Sequence, residues 1–224
     1  MQIAVISDVH AEAARLEQAL AAIEGASPDQ IWCLGDSVGL GSSPGAVVAA
    51  IRERCDLVLA GAYDLAAGHR LDSFYDALAP PLRRSIDLAR EQLSPDGLDW
   101  LAGLPAVDRY DGVDAVFGAL PHPKTGSLSE QDPDLARTHF RMQDGRLSVF
   151  GLTHRALALS EADGELEAVE PAAGERIELT TDRRWALNPG SCGVPQAEGL
   201  ADRRPGWMLL EPEERWCSWH RLDG

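Results

Sequence analysis

Lysine is the scarcest charged residue in this sequence: of 20 basic residues only Lys124 is a lysine, and 36 acidic residues leave a net charge of −16. A chain so short of positive charge is unsuited to broad, sequence-independent binding of nucleic acid, because phosphate backbones are gripped by clustered Lys and Arg. Anionic membrane surfaces are disfavoured for the same reason. Long apolar runs are also missing, none approaching the roughly 18 consecutive residues that span a bilayer. Cysteine is sparse, and Cys33, Cys55, Cys192 and Cys217 lie far apart with no Cys-x-x-Cys pair. That pattern suits neither a zinc framework nor a disulfide scaffold and predicts reduced, buried thiols. No basic n-region, apolar h-region and small-residue cleavage site opens the chain, so the expected location is the cytoplasm.

What is present is ordinary for a globular protein: 224 residues, 45% of them hydrophobic. This length fits one domain, residues 1–224, with a full two-layer core. The first apolar run, Met1 to Ile6, reads as a strand buried on both faces, and Ala13, Leu16, Leu20 and Ile23 recur at helical spacing after it. This predicts a helix from Ala11 to Glu24, ended by Gly25, in a β-α unit of a parallel sheet. Ile31 to Leu34 repeats the design, followed by a helix from Pro44 to Arg54 behind Ser42-Ser43 as caps, and a third strand from Leu57 to Leu59.

Beyond a polar turn at Gly61-Ala62-Tyr63-Asp64, helices are expected at Leu71–Leu78 and Leu82–Leu93, separated by Ala79-Pro80-Pro81. A short capped helix should follow from Ser94 to Leu101. Asp111-Gly112 between two apolar runs predicts a type I′ hairpin that begins a second sheet. A loop over Gly118–Pro133, a helix at Leu135–Met142 and a strand at Leu147–Phe150 come next. Ala156–Leu159 should pair with Leu166–Val169 across Asp163-Gly164. Ile177–Leu179 and Trp185–Leu187 are read as continuing that sheet, Asn188-Pro189-Gly190-Ser191 as a turn, and Trp207–Leu210 with Trp216–His220 as the last strands. The whole reads as α/β, two sheets sharing one core with helices outside.

Chemistry-bearing residues fall where strands stop. Asp8 and His10 end the first strand, Asp36 ends the second, and His154 follows the strand at 147–150. In open α/β sheets the carboxyl ends of strands are where ligands bind, and mixed carboxylate and imidazole donors suit Mn, Fe or Zn better than Ca or Mg. Asp8 and His10 taken alone do not distinguish a ligand site from a solvated loop. His69 and His122 lie in polar loops, where a surface histidine is the ordinary explanation. Arg155 is open to three readings: a phosphate ligand, a neutraliser of Asp8 and Asp36, or a solvated surface residue. Cys192 has no recognisable histidine partner and is read as a small buried hydrophobe.

Ser-Asp-Val-His at 7–10, Gly-Asp at 35–36 with Gly39, Gly-Ala-Tyr-Asp at 61–64, Phe-Gly at 117–118 and Gly-Leu-Thr-His at 151–154, in that order, resemble the calcineurin-like metallophosphoesterases. Asn-Pro-Gly-Ser at 188–191 and Gly-Leu-Gly-Ser-Ser-Pro at 39–44 resemble the small bacterial and archaeal branch of that family. The resemblance spans nearly the whole chain. It implies a two-sheet β-sandwich flanked by helices, a four-layer α-β-β-α arrangement, and a metal-dependent phosphoric ester hydrolase.

Active members of the family use two metal ions. The resemblance assigns Asp8, His10 and His154 to the first ion and Asp36 to the bridge between the two. The remaining second-ion positions of the family, an Asn and two His, are here Ala62, Phe117 and Leu152, and the family's acid His is Tyr63. Methyl, phenyl and isobutyl groups offer no lone pair to a cation. A phenol with an ordinary pKa near ~10 is also a poorer acid at neutral pH than an imidazole near ~6.5. The expectation is therefore one divalent transition metal ion or none, with hydrolysis weak or lost. The alternative is a non-catalytic module that binds a nucleotide, another small phosphorylated ligand or a protein partner. Oligomeric state is not readable from these residues.

Overall fold

In the computed structural model, which describes residues 1–194 and 204–222, the apolar opening run folds as strand β1, Ile3–Ile6. Its side chains alternate between two cores. Ile3 and Val5 face one, shared with Val113, Val149, Leu187 and Trp219, while Ala4 and Ile6 face another beneath helices, with Leu16, Leu20, Val47 and Ile51. Burial of each Val, Leu or Ile among them contributes about 1.5–3 kcal/mol relative to exposure. The first helix, α1 (Ala13–Ala26), runs past Gly25, because Ser27 takes the left-handed conformation (φ 51°) and its amide closes the helix on Ile23 and Glu24. Strand β2 (Gln30–Cys33), helix α2 (Pro44–Arg54) and strand β3 (Leu57–Val58) follow. The three strands are parallel, in the order β3-β2-β1.

Gly61-Ala62-Tyr63-Asp64 is more than a turn. Gly61 caps helix α3 (Ala62–Ala67), whose first-turn Asp64 carboxylate accepts the Gly61 amide at 3.0 Å. Helices α4 (Asp72–Ala77) and α5 (Pro80–Gln92) come next, and the two prolines that were expected to separate them form the first turn of α5, where a missing N–H costs nothing. Helix α6 (Pro95–Gly103) is capped by the Ser94 hydroxyl, which accepts the Gly97 amide.

The second sheet opens with the predicted hairpin, β4 (Val107–Tyr110) and β5 (Val113–Val116), and both Asp111 and Gly112 have positive φ, as a type I′ turn demands. Helix α7 (Pro133–Met142), strand β6 (Leu147–Phe150) and the hairpin of β7 (Ala156–Ala162) with β8 (Glu165–Val169) match expectation. Two expectations are corrected. The strand at Ile177, β9 (Arg176–Glu178), joins the first sheet, because its one buried-facing side chain pairs with Cys217 on β12 (Trp216–Arg221). Asn188 and Pro189 are not turn residues but the end of β10 (Arg184–Pro189), and the chain turns at Gly190 (φ 83°).

With β11 (Gly206–Glu211), the two mixed six-stranded sheets run β3-β2-β1-β11-β12-β9 and β4-β5-β6-β10-β7-β8. Helices α1 and α2 cover the outer face of the first, and α7 that of the second through Ala136, Phe140, Phe150 and Leu159. The carboxyl ends of β1, β2, β5, β6 and β10 therefore open on one side of the shared core.

Candidate metal centre

The loop after β1 is laced to the loop after β2 by backbone hydrogen bonds from Asp8 to Gly35 (3.0 Å), His10 to Asp36 (2.9 Å) and Ala11 to Ser37 (2.8 Å). In this lacing Asp8, His10 and Asp36 adopt positive φ (54°, 51° and 49°), and across the cleft so do Leu152 (66°) and His154 (56°). Left-handed backbone is uncommon for non-glycine residues, and a cluster of it is held only where the surroundings over-determine it. All four family-assigned ligands share this conformation.

The two imidazoles are oriented by carbonyls. His10 Nδ1 lies 3.2 Å from the Val38 oxygen and His154 Nδ1 2.5 Å from the Val194 oxygen. A carbonyl only accepts, so each Nδ1 carries a proton, and in the neutral ring each Nε2 presents a lone pair. Those two Nε2 atoms stand 2.9 Å apart. Lone pairs so placed repel unless a proton or cation lies beside them. Burial holds His10 well below the ordinary imidazole range, at about 3, with the nearby His154 adding to the fall.

Asp8 completes the picture. Its carboxylate is wholly buried and neither oxygen has a hydrogen-bond partner among the described residues. Burial raises its pKa, although His154, the Ser7 hydroxyl and the Leu152 amide act against the rise without making a well-formed bond to it. Asp8 Oδ1 is 3.5 Å from His154 Nε2, and the ligand atoms of Asp8, His10 and His154 all lie within 4.8 Å of one another. Asp36 adjoins this triad without joining it: Oδ2 is 3.7 Å from His10 Nε2, while Oδ1 accepts the Tyr63 amide at 2.9 Å. Its pKa is pushed well up by burial and by the charges of Asp64 and Asp8. A buried, unpartnered carboxylate facing two inward lone pairs is a donor set that fits a divalent transition metal, with the Nδ1-to-carbonyl bonds as the outer support such ligands ordinarily have.

Beside Asp36 the chain is closely packed, with the buried Asp64 carboxylate near it. A Cβ on Gly61 would stand 2.0 Å from Asp36 Oδ1, and one on Gly35 would meet the Phe117 ring at 2.8 Å, so the strand ends close tightly here. Tyr63 packs edge-on to His10 and to Phe74, at 5.1 and 5.4 Å between ring centres. Its ring occupies the space a side chain on Gly39 would need, and burial with the neighbouring Asp36 pushes the phenol up to about 12.

Other candidates lie elsewhere. Arg155 donates to both oxygens of Glu130 (2.7 and 2.9 Å) and pairs with Glu170, so it neither binds at the centre nor neutralises Asp8 and Asp36. His122 is exposed, and His69 faces Asp72 in solvent at 3.6 Å. Cys192 is a buried core residue beside Cys33, and burial pushes its thiol up. Three supporting residues were not singled out in the sequence. Asp64 accepts the Ser37, Val38 and Gly61 amides (3.2, 3.0 and 3.0 Å), and burial holds its pKa at about 6 against those bonds. The Ser191 hydroxyl donates to the Asp8 carbonyl at 2.7 Å, and Asn188 braces the 151–154 loop. Their positions in recurring segments were the available signal, but their roles depend on atoms up to 183 residues away in sequence.

Comparison with known proteins bears on this centre. Residues 1–214 match the model of the calcineurin-like phosphoesterase superfamily domain. An uncharacterized protein of Methanocaldococcus jannaschii is 31% identical over 201 residues, 87% of this chain and 77% of that one. A crystal structure described as a metallophosphoesterase from Sphaerobacter thermophilus superposes with TM-score 0.85 at 29% identity, covering 100% of this chain and 88% of the other. A hypothetical protein from Pyrococcus horikoshii OT3 shares the fold at TM-score 0.75 and 20% identity, over 99% and 88% of the two chains.

Proposed function

The chain belongs to the calcineurin-like phosphoesterase superfamily, whose members use divalent metals, and on that premise we propose that it holds one divalent transition metal ion, Mn, Fe or Zn, and hydrolyses phosphate esters slowly or not at all. The observation that carries the first half is the pair of inward Nε2 lone pairs, 2.9 Å apart, beside the unpartnered Asp8 carboxylate. Asp8, His10 and His154 would hold the ion, with Asp36 adjoining. A bound ion there supplies a Lewis acid for a phosphoryl oxygen.

The second half rests on the residues at the family's second-ion positions. Ala62, Phe117 and Leu152 supply no donor for a second ion, so these positions leave the clamp that two ions place on attacking and leaving oxygens without three of its ligands. Tyr63, held at about 12 by burial and Asp36, keeps its proton too tightly to act as a general acid at neutral pH. The same three donorless side chains favour a second reading, a non-catalytic module for a small phosphorylated ligand or nucleotide, or for a protein partner. We place the chain as one domain in the cytoplasm. Among the described residues no helix is long and apolar enough to cross a membrane.

Elemental analysis after purification without added metal should give at most one ion per chain. Added Mn or Zn at a hundredfold excess over its dissociation constant should raise stability by about 2.7 kcal/mol, roughly 5–10 °C in melting temperature, and chelator should reverse it. Two ions about 3.5–4 Å apart in anomalous scattering, or a melting temperature indifferent to both metal and chelator, would overturn the single-ion reading. For activity, a chromogenic phosphodiester with Mn is the probe. No single reversion among Ala62→Asn, Tyr63→His, Phe117→His and Leu152→His should restore turnover, because the groups act as a unit and only the quadruple variant completes it. Turnover of the unmodified protein in the usual enzyme range of roughly 1–10³ per second, abolished by Asp36→Asn, would refute slow hydrolysis.

A further inference from the structure

Asn188 is wholly buried at the end of β10, 34 residues after His154, yet one side chain touches both structures that aim that imidazole. Its Nδ2 donates to the Gly151 carbonyl (2.8 Å) and to Thr153 Oγ1 (3.1 Å), in the loop that carries His154. Its Oδ1 accepts the Gly190 amide (2.8 Å), fixing the turn from β10 into the segment 191–194. In that segment the Ser191 hydroxyl accepts the Val194 amide (2.8 Å) and donates to the Asp8 carbonyl (2.7 Å), and the Val194 carbonyl receives His154 Nδ1–H. The Asn188 carbonyl accepts the Trp219 indole N–H (2.8 Å), which anchors the arrangement across the two sheets.

We propose that Asn188 is the positioning residue for His154, holding at once the loop that presents the imidazole and the turn that leads to the carbonyl receiving its proton, and so setting the tautomer and direction of Nε2. The role needs two donors and one acceptor in one plane, which a primary amide has and a carboxylate lacks. Asn188→Asp would set an oxygen against the Gly151 carbonyl, and Asn188→Ala would leave the Gly190 amide without its acceptor and the Gly151 carbonyl with the Thr153 amide alone. The consequence for metal affinity rests on the single-ion reading above; the consequence for His154 itself does not.

The test is therefore done in two states. In the metal-free protein, nitrogen-edited NMR of the imidazoles should show a slowly exchanging His154 Nδ1–H and a His10 Nδ1–H held by Val38. Asn188→Ala should abolish the first and leave the second, and Thr153→Val, which removes one acceptor and keeps the fold, should weaken the first selectively. With Co(II) or Mn(II) added, Asn188→Ala should bind about 10–100-fold more weakly, the range expected when an outer support of a metal ligand is removed. Equal disturbance of both histidines would reduce Asn188 to a general structural role, and an undisturbed His154 signal would overturn the proposal outright. If Asn188→Ala does not fold, Thr153→Val decides by the same criteria. Should the unmodified protein bind no metal, the single-ion reading fails while the metal-free spectra still judge Asn188.

Discussion

His10 and His139 are both fully buried and their imidazoles are both held low by burial, at about 3 and about 4, yet the two regions they occupy are built on opposite terms. Under α7, His139 Nδ1 accepts the Leu120 amide (3.2 Å) and Nε2 meets the Ser148 hydroxyl (3.0 Å). That hydroxyl stands 3.4 Å from both Gln143 Oε1 and the Trp185 carbonyl, which also receives the Gln143 amide. Every ring nitrogen has a partner. At the end of β1, by contrast, His10 Nε2 faces the Nε2 of His154, and among the described residues both Asp8 oxygens and the hydroxyls of Ser7 and Ser37 are unpartnered. Desolvation alone does not tell the regions apart. The difference is satisfaction: the α7 network stabilises the fold, whereas the centre carries a standing cost that a ligand can remove.

The largest effect should therefore come from the quieter region. His139→Ala opens a cavity and strands the Leu120 amide, and is expected to cost about 2–4 kcal/mol in urea unfolding, the same with metal or with chelator. His10→Ala with chelator should cost less, about 1–2 kcal/mol, because relief of the Nε2 contact with His154 offsets part of the lost packing. Equal costs for the two substitutions would break the comparison.

Acid titration gives the next effect. His139 is neutral in the native protein down to about 4, while an unfolded histidine titrates near ~6.5. Between these values the unfolded chain binds more protons, so this group's contribution is full above ~6.5 and is lost as pH falls toward 4. Buried carboxylates oppose it, Asp64 among them with its pKa raised to about 6. The difference between the unmodified protein and His139→Gln isolates the histidine. With chelator in both samples, the variant should lose about 2 kcal/mol less between pH 7 and pH 4.5. Parallel stability curves would mean that His139 titrates in the native state as it does in the unfolded chain.

How much of this was legible in the sequence follows from the same contrast. Strand-end positions exposed Asp8, His10, Asp36 and His154, because a polar residue that abruptly ends an apolar strand is a local signal, and the ordered motifs named the fold. The sheet membership of β9 was not legible, since Ile177 is one apolar residue in a short strand and only its pairing with Cys217 assigns it. Asn188 reads as part of a turn in the sequence because Asn-Pro-Gly favours turns locally, and pairing across β7 as far as Ala156 overrides that preference. His139 carries no signal within its helix, where its spacing is ordinary and its partners, Leu120 and Ser148, come from two other segments. Arg155 offered three readings in sequence, and only the positions of Glu130 and Glu170 decide among them.

The smallest effect is the most discriminating, because its sign is opposite to that of most core substitutions. Asp8→Asn with chelator removes a buried charge without changing shape, and an amide nitrogen in place of Oδ1, 3.5 Å from His154 Nε2, offers a donor to a lone pair that lacks one. The variant should be more stable than the unmodified protein by about 1 kcal/mol near neutral pH. Since the Asp8 pKa is raised in the folded state, the carboxylate's cost is small in acid and grows as pH rises, so the advantage of Asn should widen from pH 4 to pH 8. Saturating Mn should reverse the order, because the unmodified protein gains binding energy and the variant, missing one of three donors, gains little. Melting temperatures measured with chelator and with metal should therefore cross between the two proteins. A variant less stable under both conditions would place Asp8 with His139, as a structural group whose partners are satisfied.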